Sequence, residues 1–270
     1  MSREDLPIAV FDSGIGGLTV VRALRRLLPG ESIVYLGDSA RVPYGSKSHE
    51  TIQRYALQAG ALLEQYNPKL LVIACNTASA HGLAALQGAA SCPVIGVIEP
   101  GAEAASQVAG PVGVIGTLAT IQSGAYEAAI LRRNPRAVLH ALACPLLVGF
   151  AEEGWLDDPI TDAVCRRYLN QIPFEAHTVV LGCTHYPLLL PSLSRARPDT
   201  TWLDSGELTA RAVEAMLKGG LGFRTQSASG ELRLLLTDAA TRLTAVGERF
   251  LGEPLGPVTL VDLAESRPGR

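Results

Sequence analysis

Two cysteines stand at places in the sequence where a thiol is able to do chemistry. Cys75 and Cys183 each follow a short, mainly apolar run, 70–74 and 178–182, and each precedes polar, turn-prone residues. Such a run is typical of a buried parallel strand, and open α/β sheets bind ligands beyond the carboxyl ends of their strands. Two thiols presented in this way from two halves of a chain indicate a symmetric task, in which a proton leaves one face of a carbon and another arrives at the opposite face.

The residues that follow Cys75 favour a reactive role for its thiol. The segment 76–79, Asn-Thr-Ala-Ser, is able to start a helix, and the positive end of a helix dipole lowers the pKa of a thiol from about 8.5. Asn76 and Thr77 also offer donors and acceptors for an α-carboxylate or amino group. The alternative, a buried structural cysteine, is common for a single cysteine, but it does not explain a second copy at Cys183.

Cys183 and His185 leave two other chemistries open. A structural zinc site needs four ligands, and the sequence has no paired cysteine motif and no second histidine cluster. A nucleophile with a neighbouring base remains possible, because residues two apart can meet in a loop although they diverge on a strand. The remaining cysteines, Cys92, Cys144 and Cys165, carry no such pattern and are interpreted as structural.

Apolar runs alternate with helical periodicity along the chain, which predicts α/β architecture with parallel sheets. The pattern begins at Ile8 and restarts near Val112, so we predict two pseudo-symmetric α/β domains that face a central cleft. A strand–helix–strand tail over 231–263 is predicted to return to the first domain. The predicted domains are 1–99 plus 208–270, on the Cys75 side, and 100–207, on the Cys183 side.

Several local predictions bear on the cleft. The segment 12–17, Asp-Ser-Gly-Ile-Gly-Gly, is predicted to be a tight turn before a helix, either structural or able to hold an anion. The segments 99–101 and 116–120 are predicted to be loops that follow strands. The apolar segment 146–150 leads into Glu152 and Glu153, which by pattern alone form an exposed acidic turn.

Composition excludes several classes of protein. The chain has 270 residues, is 18% charged and carries a net charge of −3, without the basic excess that would predict nucleic-acid binding. It has no apolar stretch long enough for a membrane span and no predicted export signal. Five cysteines at irregular spacing favour reduced thiols in a cytoplasm. Only three lysines occur, and none lies in a recognisable pyridoxal phosphate site.

Four segments together resemble the glutamate racemases of the aspartate/glutamate racemase superfamily, over 8–263. They are 11–17, 37–45, 74–79 and 181–187, which contain the two cysteine motifs and the two segments that mark the glutamate branch. The resemblance implies catalysis without a cofactor or metal, a homodimer, and a cytoplasmic role in supplying D-glutamate for the bacterial cell wall. Some relatives need a cell-wall precursor as activator and carry an N-terminal extension; we expect no such dependence here.

The resemblance also implies a role for each site residue. Cys75, assisted by Asp12, would take the α-proton of D-glutamate, while Cys183, assisted by His185 and Glu152, would deliver one to the opposite face. A further set would hold the substrate together with Asp12 and His185: Ser13, Pro43, Tyr44, Gly45, Asn76, Thr77, Thr117, Thr120 and Thr184. The surroundings of Glu152 depart from the family pattern, so Glu153 is an alternative at this position.

Two other readings stay open at this point. A racemase or isomerase of the same superfamily could act on another small acid such as aspartate, because sequence does not give pocket size. A regulator that binds an amino acid on the same fold would not need both cysteines, and both are present.

Overall fold

The chain folds into two parallel β-sheets whose carboxyl edges lie on either side of a cleft. The computed structural model describes residues 2–225, 229–238 and 241–263, with the backbone alone over 241–244. The short strands of this described part are β1 Ile8–Asp12, β2 Ile33–Gly37, β3 Leu70–Ile73, β4 Val94–Gly96, β5 Val112–Gly116, β6 Leu139–Ala143, β7 Thr178–Gly182, β8 Thr201–Asp204, β9 Leu232–Leu236 and β10 Val258–Leu260.

The first sheet has the strand order β10-β9-β2-β1-β3-β4, and each pair is parallel. β9 and β10 come from the C-terminal segment, so the tail returns to the first sheet as the sequence predicted. β1, β2 and β3 are buried along their whole length, as expected for central strands covered on both faces. In this arrangement Asp12 at the end of β1 lies beside the end of β3, where Cys75 follows.

The second sheet has the order β6-β5-β7-β8 and is also parallel throughout. Its central strands β5 and β7 are fully buried, whereas the edge strands β6 and β8 are partly exposed. The predicted class, two parallel-sheet α/β domains, is therefore confirmed. The predicted boundaries between the domains stay a prediction, and residues 1, 226–228, 239–240 and 264–270 of the predicted first domain lie outside the described residues.

The helices connect successive strands and cover the sheets. They are α1 Leu18–Leu27, α2 His49–Leu63, α3 Asn76–Ala89, α4 Ile98–Ser106, α5 Leu118–Gln122, α6 Ala125–Arg133, α7 Leu146–Glu153, α8 Pro159–Leu169, α9 Leu190–Ala196, α10 Ser205–Met216 and α11 Thr241–Leu251. Short 3-10 turns span Arg3–Asp5, Ser39–Arg41, Tyr44–Ser46, Glu64–Tyr66 and Tyr186–Leu189, and one π turn spans Leu217–Leu221. Among the described residues, no helix is both long and apolar enough to cross a lipid bilayer.

Three of the local predictions were wrong. Residues 99–101 lie within α4 rather than in a loop, because Pro100 falls in the first turn, where its missing N–H costs no hydrogen bond. The predicted loop 116–120 contains the start of α5, which begins at Leu118 behind a Thr117 cap. The predicted acidic turn is the C-terminal end of α7, which stops at Gly154, a residue with φ of 80°.

Candidate active site

A cavity of about 630 Å³ lies where the carboxyl ends of the two sheets meet. Both cysteines line it, and with one exception so do the residues that the sequence assigned to catalysis or substrate binding. The exception is Thr120. The lining residues are Asp12, Ser13, Gly14, Ile15, Ser39, Val42, Pro43, Tyr44, Gly45, Ser46, Cys75, Asn76, Thr77, Thr117, Leu118, Pro145, Val148, Gly149, Glu152, Glu153, Cys183, Thr184, His185 and Val246.

Cys75 lies one residue beyond the end of β3, after Ala74, and caps the N-terminus of α3. Its sulfur accepts a hydrogen bond from the Ala78 amide at 3.4 Å, and the residue is buried. Burial and the nearby Asp12 carboxylate raise the pKa of Cys75 to about 12, against the lowering effect of hydrogen bonds from Ser13 and Ala78. The helix N-terminus thus acts in the predicted direction, through the Ala78 amide, but loss of water around the thiolate outweighs it. Burial therefore favours the thiol form of Cys75 in the free protein.

Asp12 is a buried carboxylate at the end of β1. Its Oδ2 accepts a hydrogen bond from the Gly14 amide at 2.9 Å, whereas its Oδ1 has no hydrogen-bond partner in the part of the chain that the structure describes. Burial raises the pKa of Asp12, although backbone hydrogen bonds from Gly14, Gly17 and Ser13 oppose the rise. The glycine-rich turn thus directs amides at its own aspartate. An unpartnered buried oxygen beside a cavity is costly unless a ligand supplies a donor.

Cys183 lies directly after β7, and His185 is next to it. Their Sγ and Nδ1 atoms are 3.8 Å apart, so these residues do meet in the loop. On its other side, His185 Nε2 lies 3.1 Å from Glu152 Oε1. Burial disfavours the charged imidazole, but the hydrogen bonds to Cys183 and Glu152 outweigh it and raise the pKa of His185 to about 10. The His185 imidazole is therefore placed to exchange a proton with the Cys183 sulfur.

The two thiols therefore have different surroundings. The nearest assisting group of Cys75 is a carboxylate, and that of Cys183 is an imidazole backed by a carboxylate. Glu152 belongs to α7 and is half exposed, at 49% of its side-chain surface. Its backbone oxygen accepts a hydrogen bond from Arg249 of α11, at 3.1 Å. Glu153 also lines the cavity, but the carboxylate that contacts His185 is that of Glu152.

The segment 43–45 forms one wall of the cavity and is held from behind. Tyr44 donates its hydroxyl hydrogen bond to the buried carboxylate of Asp38, at 2.5 Å, and its pKa is raised, mainly by burial. Arg41 and Thr237 also donate to Asp38, at 2.6 and 3.0 Å. The phenol thus fixes the loop, and Thr237 ties it to the returning C-terminal segment.

A cluster of three hydroxyls joins the two domains at the other wall. Thr77 at the start of α3 lies 2.9 Å from Thr117 and 3.1 Å from Thr120, Oγ1 to Oγ1, and the last two are 2.9 Å apart. Thr120 is buried and is not among the residues that line the cavity, but its hydroxyl contacts those of Thr77 and Thr117, which do line it. Asn76 makes a second bridge, because its Oδ1 accepts a hydrogen bond from Tyr126 at 2.8 Å.

Sequence reasoning missed several residues of the lining. Pro145, which lies just beyond the end of β6, and Ser39, just beyond β2, follow the same strand-end rule that found the cysteines. Val148 and Gly149 lie on α7, which was not predicted because its uninterrupted apolar run shows no alternation of apolar and polar residues at helical spacing. Val246 comes from α11, and no local signal links that helix to the cavity.

Across the residues that the structure describes, no group of three or more His, Cys, Asp or Glu side chains is placed to hold a metal ion. The cysteines of this part of the chain are free thiols.

Comparison with known proteins agrees with this architecture. A family model for the Asp/Glu/hydantoin racemases matches residues 17–213. The glutamate racemase of Geobacter metallireducens is 48% identical over 260 residues, which cover 95% of this chain and 96% of that protein. The crystal structure of glutamate racemase from Francisella tularensis in complex with D-glutamate has a TM-score of 0.91 at 37% identity, over 96% of this chain and 98% of that one.

A further crystal structure, of glutamate racemase from Thermus thermophilus in complex with beta-chloro-D-alanine, has a TM-score of 0.89 at 44% identity. The alignment covers 97% of this chain and 99% of the Thermus thermophilus chain. Because the family model spans most of the chain and the relatives align nearly end to end, the chain belongs to the Asp/Glu/hydantoin racemase family of isomerases.

Proposed function

We propose that this protein interconverts L- and D-glutamate without a cofactor, by proton transfer through Cys75 and Cys183. The observation that carries the proposal is the placement of two free thiols in one cavity, each from the end of a strand in a different sheet and each with its own assisting group. Relatives that align over nearly the whole chain bear the name glutamate racemase, and one was crystallised with D-glutamate.

The proposed reaction needs one thiolate and one thiol. With D-glutamate, the Cys75 thiolate takes the α-proton, and the C–H electron pair moves into the Cα–carboxylate system. Cys183 then donates its proton to the opposite face of the same carbon, which leaves Cys75 as the thiol and Cys183 as the thiolate. With L-glutamate the roles exchange. The raised pKa of Cys75 favours its thiol form, which is the proton donor in the L-to-D direction.

The assisting groups lower the cost of each charge change. Asp12 would accept or share the proton at Cys75, and the imidazolium of His185 would stabilise the thiolate of Cys183, with Glu152 holding the ring. These groups act in a cavity where the thiols are 7% and 5% exposed. Electrostatic stabilisation is stronger in such a dry site than in water.

The proposed substrate contacts use the same cavity wall. The N-terminal turn of α3, with Asn76 and Thr77, offers backbone donors to a carboxylate, and Thr117 and Thr184 face the same space. Asp12 Oδ1, which has no hydrogen-bond partner among the described residues, would accept a hydrogen bond from the substrate ammonium. The remaining proposed contacts are Ser13, Pro43, Tyr44 and Gly45, with Thr120 and His185.

We further propose that the product serves peptidoglycan synthesis in the cytoplasm and that the protein works as a homodimer. These points rest on the family relationship alone. The domains bounded at 99/100 and 207/208 would be the units that carry one thiol each.

Proton exchange in heavy water tests the reaction itself. Purified protein is incubated with D- or L-glutamate and no added cofactor, and deuterium at Cα is followed by NMR beside optical rotation. We expect racemisation with deuterium uptake in the unmodified protein and its loss in Cys75→Ser and Cys183→Ser. The structural cysteine variant Cys92→Ser, which does not line the cavity, is the matched control.

The outcomes separate the alternatives. Exchange with aspartate but not with glutamate would keep the mechanism and replace the substrate. No exchange with any amino acid would remove the enzymatic proposal and leave a binding protein. Retained activity in either cysteine variant would contradict the two-thiol mechanism.

A further inference from the structure

The glycine pair, Gly16 and Gly17, lies between the two thiol sites and is buried. Neither glycine has positive φ, so backbone conformation alone does not require glycine at either position. What these two residues share is the absence of a side chain at a point where other groups approach closely.

The space beside Gly16 is filled by the second thiol site. A Cβ on Gly16 would lie 2.4 Å from His185 Cε1, 2.6 Å from His185 Nδ1 and 2.4 Å from Thr184 Oγ1. Nδ1 is the ring nitrogen that faces the Cys183 sulfur. The imidazole therefore rests directly on the Gly16 backbone, across the boundary between the two sheets.

The space beside Gly17 is filled by the first thiol site. A Cβ there would lie 2.5 Å from Asp12 Cβ, 2.8 Å from Asp12 Cγ and 3.0 Å from Ala74 Cβ. Ala74 immediately precedes Cys75, and its amide donates a hydrogen bond to the Phe11 carbonyl at 2.8 Å. Gly17 thus permits the packing that brings the Asp12 carboxylate beside Cys75.

A further contact fixes this arrangement. The Thr19 hydroxyl lies 3.0 Å from the carbonyl oxygens of both Gly16 and Thr184. One hydroxyl on α1 therefore joins the glycine pair to the loop that carries the second thiol. This bridge is buried, so the two loops are held in register where water is excluded.

We propose that Gly16 and Gly17 are positioning residues that serve opposite thiols: Gly16 sets the imidazole of His185 against Cys183, and Gly17 sets the carboxylate of Asp12 against Cys75. This inference deepens the proposed function and rests on it for its catalytic meaning. Its structural part does not depend on the substrate: a methyl group added at Gly16 would disturb the surroundings of Cys183, and one added at Gly17 would disturb those of Cys75.

Thiol alkylation in the absence of substrate tests whether each glycine affects a different thiol. Cys92→Ser/Cys144→Ser/Cys165→Ser protein is treated with iodoacetamide at neutral pH, and modification of Cys75 and Cys183 is followed separately by peptide mass spectrometry. We expect Gly16→Ala to slow alkylation of Cys183 about tenfold, the effect of about 1.4 kcal/mol of lost thiolate stabilisation, and to leave that of Cys75 within about twofold. Gly17→Ala should change the rate at Cys75 and leave that at Cys183 within about twofold.

A background that removes the contacting groups keeps the test decisive if Gly16→Ala fails to fold. In Thr184→Ala/His185→Ala protein the atoms that a Gly16 Cβ would meet are gone, so adding Gly16→Ala should leave both the thermal midpoint and Cys183 alkylation unchanged. A loss of folding in that background as well, or equal effects of both glycine variants on both thiols, would overturn the inference.

Racemase assays on the same proteins separate this inference from the proposed function. If the unmodified protein does not exchange the α-proton of glutamate, the proposed function fails while the alkylation pattern still reports on the glycine pair. If racemisation is present but the alkylation effects do not separate by thiol, the positioning inference alone fails.

Discussion

Glu152 and His185 both line the cavity and contact each other, with Oε1 and Nε2 3.1 Å apart. The contact leaves the other ring nitrogen facing Cys183. His185 thereby has one fixed orientation and a partner of opposite charge. Glu152 is half exposed, so solvent screens this interaction and limits its strength.

Glu152→Gln should weaken but not abolish the second thiol site. Without the carboxylate charge, the pKa of His185 falls from about 10, and we expect kcat to fall by about tenfold, since an adjacent opposite charge shifts a pKa by about one unit or more. The basic limb of the pH–rate profile should move to lower pH. Glu153→Gln removes the same charge one residue away and is expected to have a smaller effect; an equal displacement of the basic limb would contradict the assignment to Glu152.

The raised pKa of His185 predicts how stability depends on pH. Because the folded-state pKa, about 10, exceeds the ordinary value of 6.5, the stabilising contribution of the charged ring is present in full below pH 6.5 and is lost as pH rises through about 10. Urea unfolding should therefore show a falling free energy of unfolding across this window, and His185→Gln should flatten the fall. His177→Gln alters an exposed histidine that precedes β7 and serves as the control. An identical slope in His185→Gln protein would be inconsistent with this origin.

The parts of the fold that sequence predicted correctly are those encoded locally. The buried strands β3 and β7 are recognisable in the sequence as apolar runs. Because ligands bind beyond the carboxyl ends of parallel strands, Cys75 and Cys183 could be predicted to line one cavity. The return of the tail to the first sheet followed from its strand–helix–strand pattern after the second unit. α7 was missed because an apolar run of five residues carries no helical period.

The electrostatic state of the site depends on contacts between distant segments. The sequence revealed the lowering effect of the helix N-terminus on the pKa of Cys75, but not the larger rise caused by burial and by Asp12, which is 63 positions away in the sequence. Likewise, the six-residue turn 12–17 was compatible with an anion site. The role of Gly16 became visible only when His185, from the other domain, was placed against it.

Tyr44→Phe tests whether the phenol acts on the loop or on the reaction. The change removes one of three donors to the buried Asp38 carboxylate, so the free energy of unfolding should fall by about 1 kcal/mol. Because the loop 43–45 lines the cavity, KM should rise about threefold or more while kcat changes less. Tyr66→Phe, which does not line the cavity, controls for loss of a phenol. A large fall in kcat with constant KM would instead assign the hydroxyl to the chemistry.

Asp12→Asn should separate activity from stability. Asp12 is buried, with one oxygen unpartnered and a raised pKa. The ionised form therefore costs folding free energy: this penalty is absent below the ordinary pKa of 3.8 and grows as pH rises through the folded-state value. At neutral pH the neutral amide avoids it, so we expect unfolding free energy to stay the same or rise by about 1 kcal/mol. Racemisation should fall by about a hundredfold, because the group that exchanges a proton with Cys75 is gone.

Asp162→Asn is the same substitution as Asp12→Asn, but we expect it to change the free energy of unfolding in the opposite direction. Hydrogen bonds from Arg195 and Ser192 lower the pKa of Asp162 to about 2, so its charge stabilises the folded state above the ordinary pKa of 3.8, and that contribution is lost as pH falls through about 2. Asp162→Asn should therefore lower the unfolding free energy at neutral pH and leave racemisation unchanged, since Asp162 lies outside the cavity lining. Chemical denaturation beside the racemase assay measures both quantities for both variants. If Asp12→Asn also lowered stability, its carboxylate would have to be paired in solution, and the unpartnered Oδ1 would no longer be available to a substrate ammonium.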